Sequence, residues 1–236
     1  MTLKTNEAPT SGGKAQEPID PGTYPSQVVQ IIDLGLQPQV YLGETKDPKN
    51  EIMVTYELAD EFMKDEEGND IEDKPRWVSE TFPLNSLNSD KAKSTQRYFA
   101  LDPNVKHDGD WSKLLETPAS LTIVNKAGKG KNADKVYNNV GAVSAMRPRD
   151  ADRLPKLKND AKFFTLDDPD VEVFLTLPDW VQDKIKKGLE FKGSELDKLL
   201  QNHKGANAKE EQKKAPKPAV KAEEDADDGE EDGPNW

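Results

Sequence analysis

The sequence predicts a mainly β fold: a five-stranded Greek-key barrel with one helix between its third and fourth strands, a short helical extension after it, and disordered termini. Three observations carry that expectation. Apolar runs rich in β-branched and aromatic residues recur between residues 24 and 146, separated by clusters of Gly, Pro, Asn and Asp. One helical stretch interrupts them, at residues 89–101. Both ends of the chain are polar and lack periodicity, so they bury too little apolar surface to offset the entropy of ordering.

In chain order, residues 1–19 read as a flexible arm, and order is expected to begin near Pro21. Residues 24–34 are the first strand. Residues 52–58 are the second, with Ile52, Val54, Tyr56 and Leu58 alternating against Met53, Thr55 and Glu57, the pattern of a half-buried strand. Residues 77–84 are the third, after an acidic connection over 60–75 that turns at Glu67-Gly68-Asn69. The helix follows, with Ser89 as its expected N-cap and Leu87, Thr95, Tyr98, Phe99 and Leu101 on its inner side. Trp111, Leu114 and Leu115 mark a second, short helical piece. Residues 121–125 and 136–146 are the fourth and fifth strands, joined by a hairpin loop rich in Gly and Lys. The order strand, strand, strand, helix, strand, strand over residues 20–150 is that of an OB-type barrel. An antiparallel sandwich with a stray helix is the alternative.

Residues 151–205 change character and are expected to form a helical extension that packs on the barrel or mediates self-association. Pro178 and Asp179 can open a helix carrying Trp180, Val181, Ile185 and Leu189, which Gly188 weakens or ends. Ser194 can cap another, with Leu196, Leu199 and Leu200 along one side. Residues 206–236 are a Lys-, Ala- and Pro-rich linker and an acidic tail.

Charge is segregated along the chain. The formal net charge is −12, of which −8 lies in residues 222–236, including Asp225, Asp227, Asp228, Glu230, Glu231 and Asp232. Such a run repels itself and stays extended. Residues 44–73 hold twelve acids against three lysines, whereas residues 85–149 hold eleven Lys or Arg against six acids. An acidic protein can therefore still present a cationic surface to phosphates. The chain has no cysteine, which removes disulfides and thiolate metal sites and suits a reducing, cytoplasmic setting. No apolar run is long enough to span a membrane, and none at the N-terminus has the form of a signal peptide.

Candidate chemistry favours binding over catalysis, with no cofactor, metal or catalytic residue expected. The only two histidines, His107 and His203, stand apart in polar surroundings. No phosphate-binding loop, dinucleotide fingerprint or nucleophile elbow is present. Asp60, Glu61 and Asp65 are the best carboxylates for a hydrolase reading, and their spacing fits no calcium loop. Single-strand binding needs cations that track phosphates and aromatic faces that take bases. The basic half supplies both, in Arg76 and Trp77 at the third strand, Lys91, Lys93, Arg97 and Tyr98 at the helix, and Lys126, Lys129, Lys131, Lys135 and Tyr137 at the hairpin. The acidic tail closes on Gly233-Pro234-Asn235-Trp236, and an aromatic anchor on a polyanion suits a basic groove with an apolar pocket on a partner protein.

These pieces resemble bacteriophage single-stranded-DNA-binding proteins. Besides the tail, residues Asp20-Pro21-Gly22-Thr23-Tyr24-Pro25, Val140-Gly141-Ala142-Val143 and Leu175-Thr176-Leu177-Pro178-Asp179-Trp180-Val181 are similar to proteins of that kind. The tail is similar to that of the bacterial counterparts, which ends in Pro-Phe, but here Asn235 separates Pro234 from Trp236. The resemblance implies a protein that coats single strands in replication or recombination and recruits other proteins of those processes through Pro234, Trp236 and the acids before them. The competing expectation is an acidic interaction factor that binds no nucleic acid. A homo-oligomer is compatible with either.

Overall fold

The computed structural model describes residues 16–203. Six strands form one sheet: β1 (Gly22–Tyr41), β2 (Glu44–Lys64), β3 (Asp70–Pro83), β4 (Pro118–Ala127), β5 (Val136–Ala145) and β6 (Lys162–Phe164). The helices are α1 (Lys93–Leu101), α2 (Pro148–Ala151), α3 (Val171–Leu175) and α4 (Asp179–Lys186), with a 3-10 turn at Trp111–Leu114. Five strands lie in the order β3-β2-β1-β4-β5, all antiparallel to their neighbours, and β6 pairs in parallel with β1. No ladder joins β3 to β5, so the sheet is open where a closed barrel would continue. The second compact unit starts at Leu199, and its described residues, 199–203, are helical.

The five predicted strands are present; the first four are longer than expected, and the fifth ends at Ala145, one residue short of its expected end. β1 and β2 continue past their apolar segments as a ribbon, pairing Leu36 with Asn50 through Tyr41 with Glu44. Ladder hydrogen bonds need no buried side chains, so apolar periodicity misses this part. The acidic connection is likewise the far end of the β2–β3 hairpin, with Lys64 opposite Asp70. Its turn is held by the Asp65 carboxylate, which accepts from the N–H groups of Glu67 and Asn69.

Helix α1 starts later than expected. Its N-cap position is Ala92, which makes no side-chain cap, and Ser89 instead belongs to a preceding turn in which its N–H donates to Ser86. On its inner face lie Thr95, Tyr98 and Leu101, while Phe99 points outward. The main core fills one side of the sheet, with Val28, Ile31, Val54, Tyr56, Leu58, Val78, Phe82, Leu121 and Ile123 from the strands, Tyr98 and Leu101 from α1, and Leu114 from the 3-10 turn. Tyr98 meets Trp111 edge to face at 5.4 Å between centroids, and Trp111 meets Phe82 at 5.6 Å.

The half-buried reading of residues 52–58 is corrected, because both faces of this stretch are buried. Segment 151–198 covers the second face, and it is not wholly helical: β6 places Phe164 beside Ile32, which pairs across with Met53. Phe174 of α3 packs on Phe164 at 5.8 Å. Val181 and Ile185 of α4 are fully buried, and Leu189 N–H donates to Leu36. Gly35 (φ +75°) permits this closeness, since a Cβ there would stand 2.7 Å from Leu166 Cδ1. Pro178 and Asp179 open α4 and Gly188 follows its end, as the sequence indicates. Ser194 caps residues 195–203, its Oγ accepting from Asp197 N–H.

Two buried carboxylates tie these layers together. Glu57, on the outer side of β2, accepts from Trp77 Nε1 (3.0 Å), Lys158 N–H (2.7 Å) and Asn159 Nδ2 (2.7 Å), joining β3 and the later segment to the sheet. Glu80 of β3 receives Arg97 Nε at 2.8 Å, Lys93 Nζ at 2.7 Å and Tyr56 Oη at 3.2 Å. Arg97 Nη2 also donates to Gly141 O of β5 at 3.4 Å.

Residues 16–19 correct the expectation of an arm over 1–19. Ile19 is buried in the main core, and its N–H and C=O pair with the Asn138 side-chain amide of β5 at 2.9 and 2.8 Å. Arg76 of β3 donates to Glu17 O at 2.7 Å. A lone isoleucine among polar residues gives no periodicity to read, so this strap between β3 and β5 is invisible in the sequence.

Glu57→Ala should leave three donors without their acceptor and destabilise the fold by about 2–4 kcal/mol. Denaturant titration measures the loss, and hydrogen exchange should rise first at Lys158 and Asn159.

Candidate nucleic-acid interface

The β4–β5 hairpin assembles the largest group of the sequence-predicted residues. Lys126 pairs in register with Tyr137, and Ala127 with Val136, so Lys126 and Tyr137 share one face. Gly128 N–H donates to Lys135 O, closing a loop that carries a short 3-10 turn at Gly130–Asn132. The loop requires glycine at 128, where a Cβ would come within 2.0 Å of the Asn132 carbonyl oxygen and 3.0 Å of the Tyr137 ring. Lys126, Lys129, Lys131, Lys135 and Tyr137 are all exposed. None of the four lysines is ion-paired among the described residues.

The helix group is different. The expectation that Arg97 and Tyr98 face a ligand is corrected, because both are buried. Arg97 is spent on Glu80 and Gly141. Tyr98 accepts from Gly109 N–H at 2.8 Å and donates to Asp102 at 3.4 Å, and burial raises its phenol pKa. Lys93 is committed to Glu80 and lies 5.6 Å from the Phe82 ring centroid. Lys91 alone of this group remains exposed without an ion pair among the described residues. The sequence places these cations on a helix but does not show that a carboxylate 17 residues away lies beneath it.

At β3, Trp77 lies on the outer face opposite Glu57 and is 39% exposed, so one side of the indole is available while its N–H is anchored. Arg76 is half-buried, and burial lowers its pKa against the opposing pull of Glu61. Beside it a cavity of about 500 Å³ is lined by Glu17, Asp20, Glu61, Lys64, Asp65 and Arg76 among others, a mixed and carboxylate-rich wall unsuited to phosphates. The Asp65 carboxyl lies below its ordinary range chiefly because Asn69 N–H donates to it. Burial raises that of Asp60. Among the described residues no group of three His, Asp or Glu side chains could hold a metal ion.

A pocket of about 150 Å³ lies between β1, β2 and residues 155–158, lined by Gln27, Leu58, Phe62, Pro75, Pro155 and Lys156, with Glu57 and Lys158 in its wall. No sequence signal could have found it, since its two sides are about a hundred residues apart. The tail residues Asp225, Asp227, Asp228, Glu230, Glu231, Asp232, Pro234 and Trp236 lie outside the described residues. No helix among the described residues is long and apolar enough to cross a membrane. No protein-family model matches the chain, and no curated protein sequence matches it.

Arg97→Ala should cost about 3 kcal/mol of stability by removing the buried cation of the Glu80 cluster and leaving only Lys93 and Tyr56, measured by denaturant titration. Asp102 supplies a pH test. Burial pushes its carboxyl up, but the N–H groups of Lys106 and His107, the charge of His107 and the Tyr98 hydroxyl together hold it below its ordinary value. Its stabilisation is therefore complete above the unfolded value of about 3.9 and is lost as pH falls through the lower folded value. Asp102→Asn should flatten the stability–pH curve in that acid window and leave its slope near neutrality unchanged.

Proposed function

We propose that this protein binds single-stranded DNA without strong sequence preference, as a coating protein of replication or recombination, and that its acidic tail competes with DNA and recruits partner proteins. The observation that carries the reading is the β4–β5 hairpin: four exposed lysines, without ion pairs among the described residues, around an exposed tyrosine on a loop whose shape is fixed by Gly128. Cations already paired with carboxylates offer little to a phosphate, whereas these four can exchange counterions for a DNA backbone. Tyr137 adds a face for a base.

The strand order supports the same reading. β3-β2-β1-β4-β5, with α1 between β3 and β4, is the order of an OB-type barrel opened between β3 and β5. Arg76 and Asn138 stand at one level of that seam and Glu80 and Gly141 at the next, so β3 and β5 run alongside in the same direction. OB folds are partly open Greek-key barrels that use the β4–β5 loop for nucleic acid. The tail, at −8, is a tethered polyanion that can occupy the lysine hairpin until DNA displaces it.

Fluorescence anisotropy with a labelled oligo-dT and a duplex of equal length tests this. The single strand should bind at micromolar concentration or tighter at about 50 mM salt, and more weakly as salt rises. Replacing Lys126, Lys129, Lys131 and Lys135 with Ala should weaken binding and reduce the salt slope by roughly 0.7 for each phosphate that is no longer neutralised. Deleting residues 222–236 should tighten binding, most at low salt. Absence of binding at low salt by both the full chain and the truncation overturns the reading.

A further inference from the structure

The segment that covers the second sheet face also creates the pocket at Glu57, and this pocket is a built concavity where the lysine hairpin is a loop. At about 150 Å³ it falls below the roughly 300 Å³ that encloses a drug-sized ligand, and it has room for one planar ring. Its walls are apolar where a ring face would lie, with Phe62, Pro75 and Pro155. Gln27 adds an amide that carries both donors and an acceptor, and no hydrogen bond engages that amide among the described residues. Lys156 is exposed at the pocket and forms no ion pair among the described residues. The one charge in the wall that would repel a nucleotide, Glu57, already accepts from Trp77, Lys158 and Asn159. Apolar faces, an amide and a cation without an ion pair among the described residues are the chemistry that suits one nucleobase with its neighbouring phosphate.

We propose that this pocket takes a single base of the bound strand, Phe62, Pro75 and Pro155 packing on the ring, Gln27 hydrogen-bonding its edge and Lys156 holding the adjacent phosphate. The proposal rests on single-strand binding. It adds that segment 151–198, beyond the five-strand core, contributes directly to the ligand site through Pro155 and Lys156.

The test compares oligo-dT with an abasic strand of equal phosphate number, using the full chain and the variants Gln27→Leu and Lys156→Ala. Wild type should bind oligo-dT at least about fivefold tighter than the abasic strand. Gln27→Leu should shrink that preference while leaving affinity for the abasic strand unchanged. Lys156→Ala, at an exposed position that does not endanger folding, should weaken both strands alike and lower the salt slope by roughly 0.7. Equal wild-type affinity for the two strands, a Gln27→Leu loss identical on both, or a Lys156→Ala variant with wild-type affinity and salt slope overturns the pocket while single-strand binding stands. Failure of wild type to bind either strand overturns both.

Discussion

The fold depends on a buried carboxylate that cannot stand alone. Glu80 sits at 4% side-chain exposure, and an unpaired carboxylate there would be prohibitively costly. Arg97 engages it through two nitrogens, with Lys93 and Tyr56 completing the set. Burial, reinforced by the Glu80 charge, raises the Tyr56 phenol well above its ordinary value, which keeps it a donor. The same arginine reaches Gly141, so one cluster fixes α1 over the sheet and bridges two strands that share no ladder. At the other end of that seam the strap at Glu17 and Ile19 performs the bridging with backbone groups.

Pairing of this kind also decides what is left for a ligand. Arg97 is buried and Lys93, though exposed, is paired with Glu80, while the carboxylates near Arg76 make the neighbouring cavity a poor place for phosphate. The hairpin lysines make no ion pair among the described residues, even with Asp134 in the same loop. Segment 151–198 occupies the outer face at β1 and β2, up to a margin at Glu57 where Lys158 and Asn159 bond it. Trp77 stands at that margin, tied to Glu57 on one side and open on the other.

The hairpin is legible in the sequence because its chemistry is local. Lysines at 126, 129, 131 and 135 interleaved with glycine form an exposed loop in almost any fold, and Tyr137 follows in strand alternation. The helix cations are not legible in the same way, because exposure on a helix depends on what lies beneath it. Glu57 differs from its expected place for a related reason: its position in the alternation assigns it to solvent, but a partner about a hundred residues later removes the solvent. Ser89 has the right chemistry for a cap, yet the chain turns at Ser86 and Ala92 before the helix begins.

By itself the sequence determined the mainly β character, the place of α1 between the third and fourth strands, the opening of α4 at Pro178 and the segregation of charge, because each follows from propensity and periodicity within a short window. Tertiary structure alone decided the sixth strand, the burial of both faces of β2 over residues 52–58, the strap at Ile19, the open seam between β3 and β5, and which cations are without an ion pair among the described residues. Those outcomes depend on contacts between segments distant along the chain, where desolvation and pairing of a few charged side chains outweigh local preference.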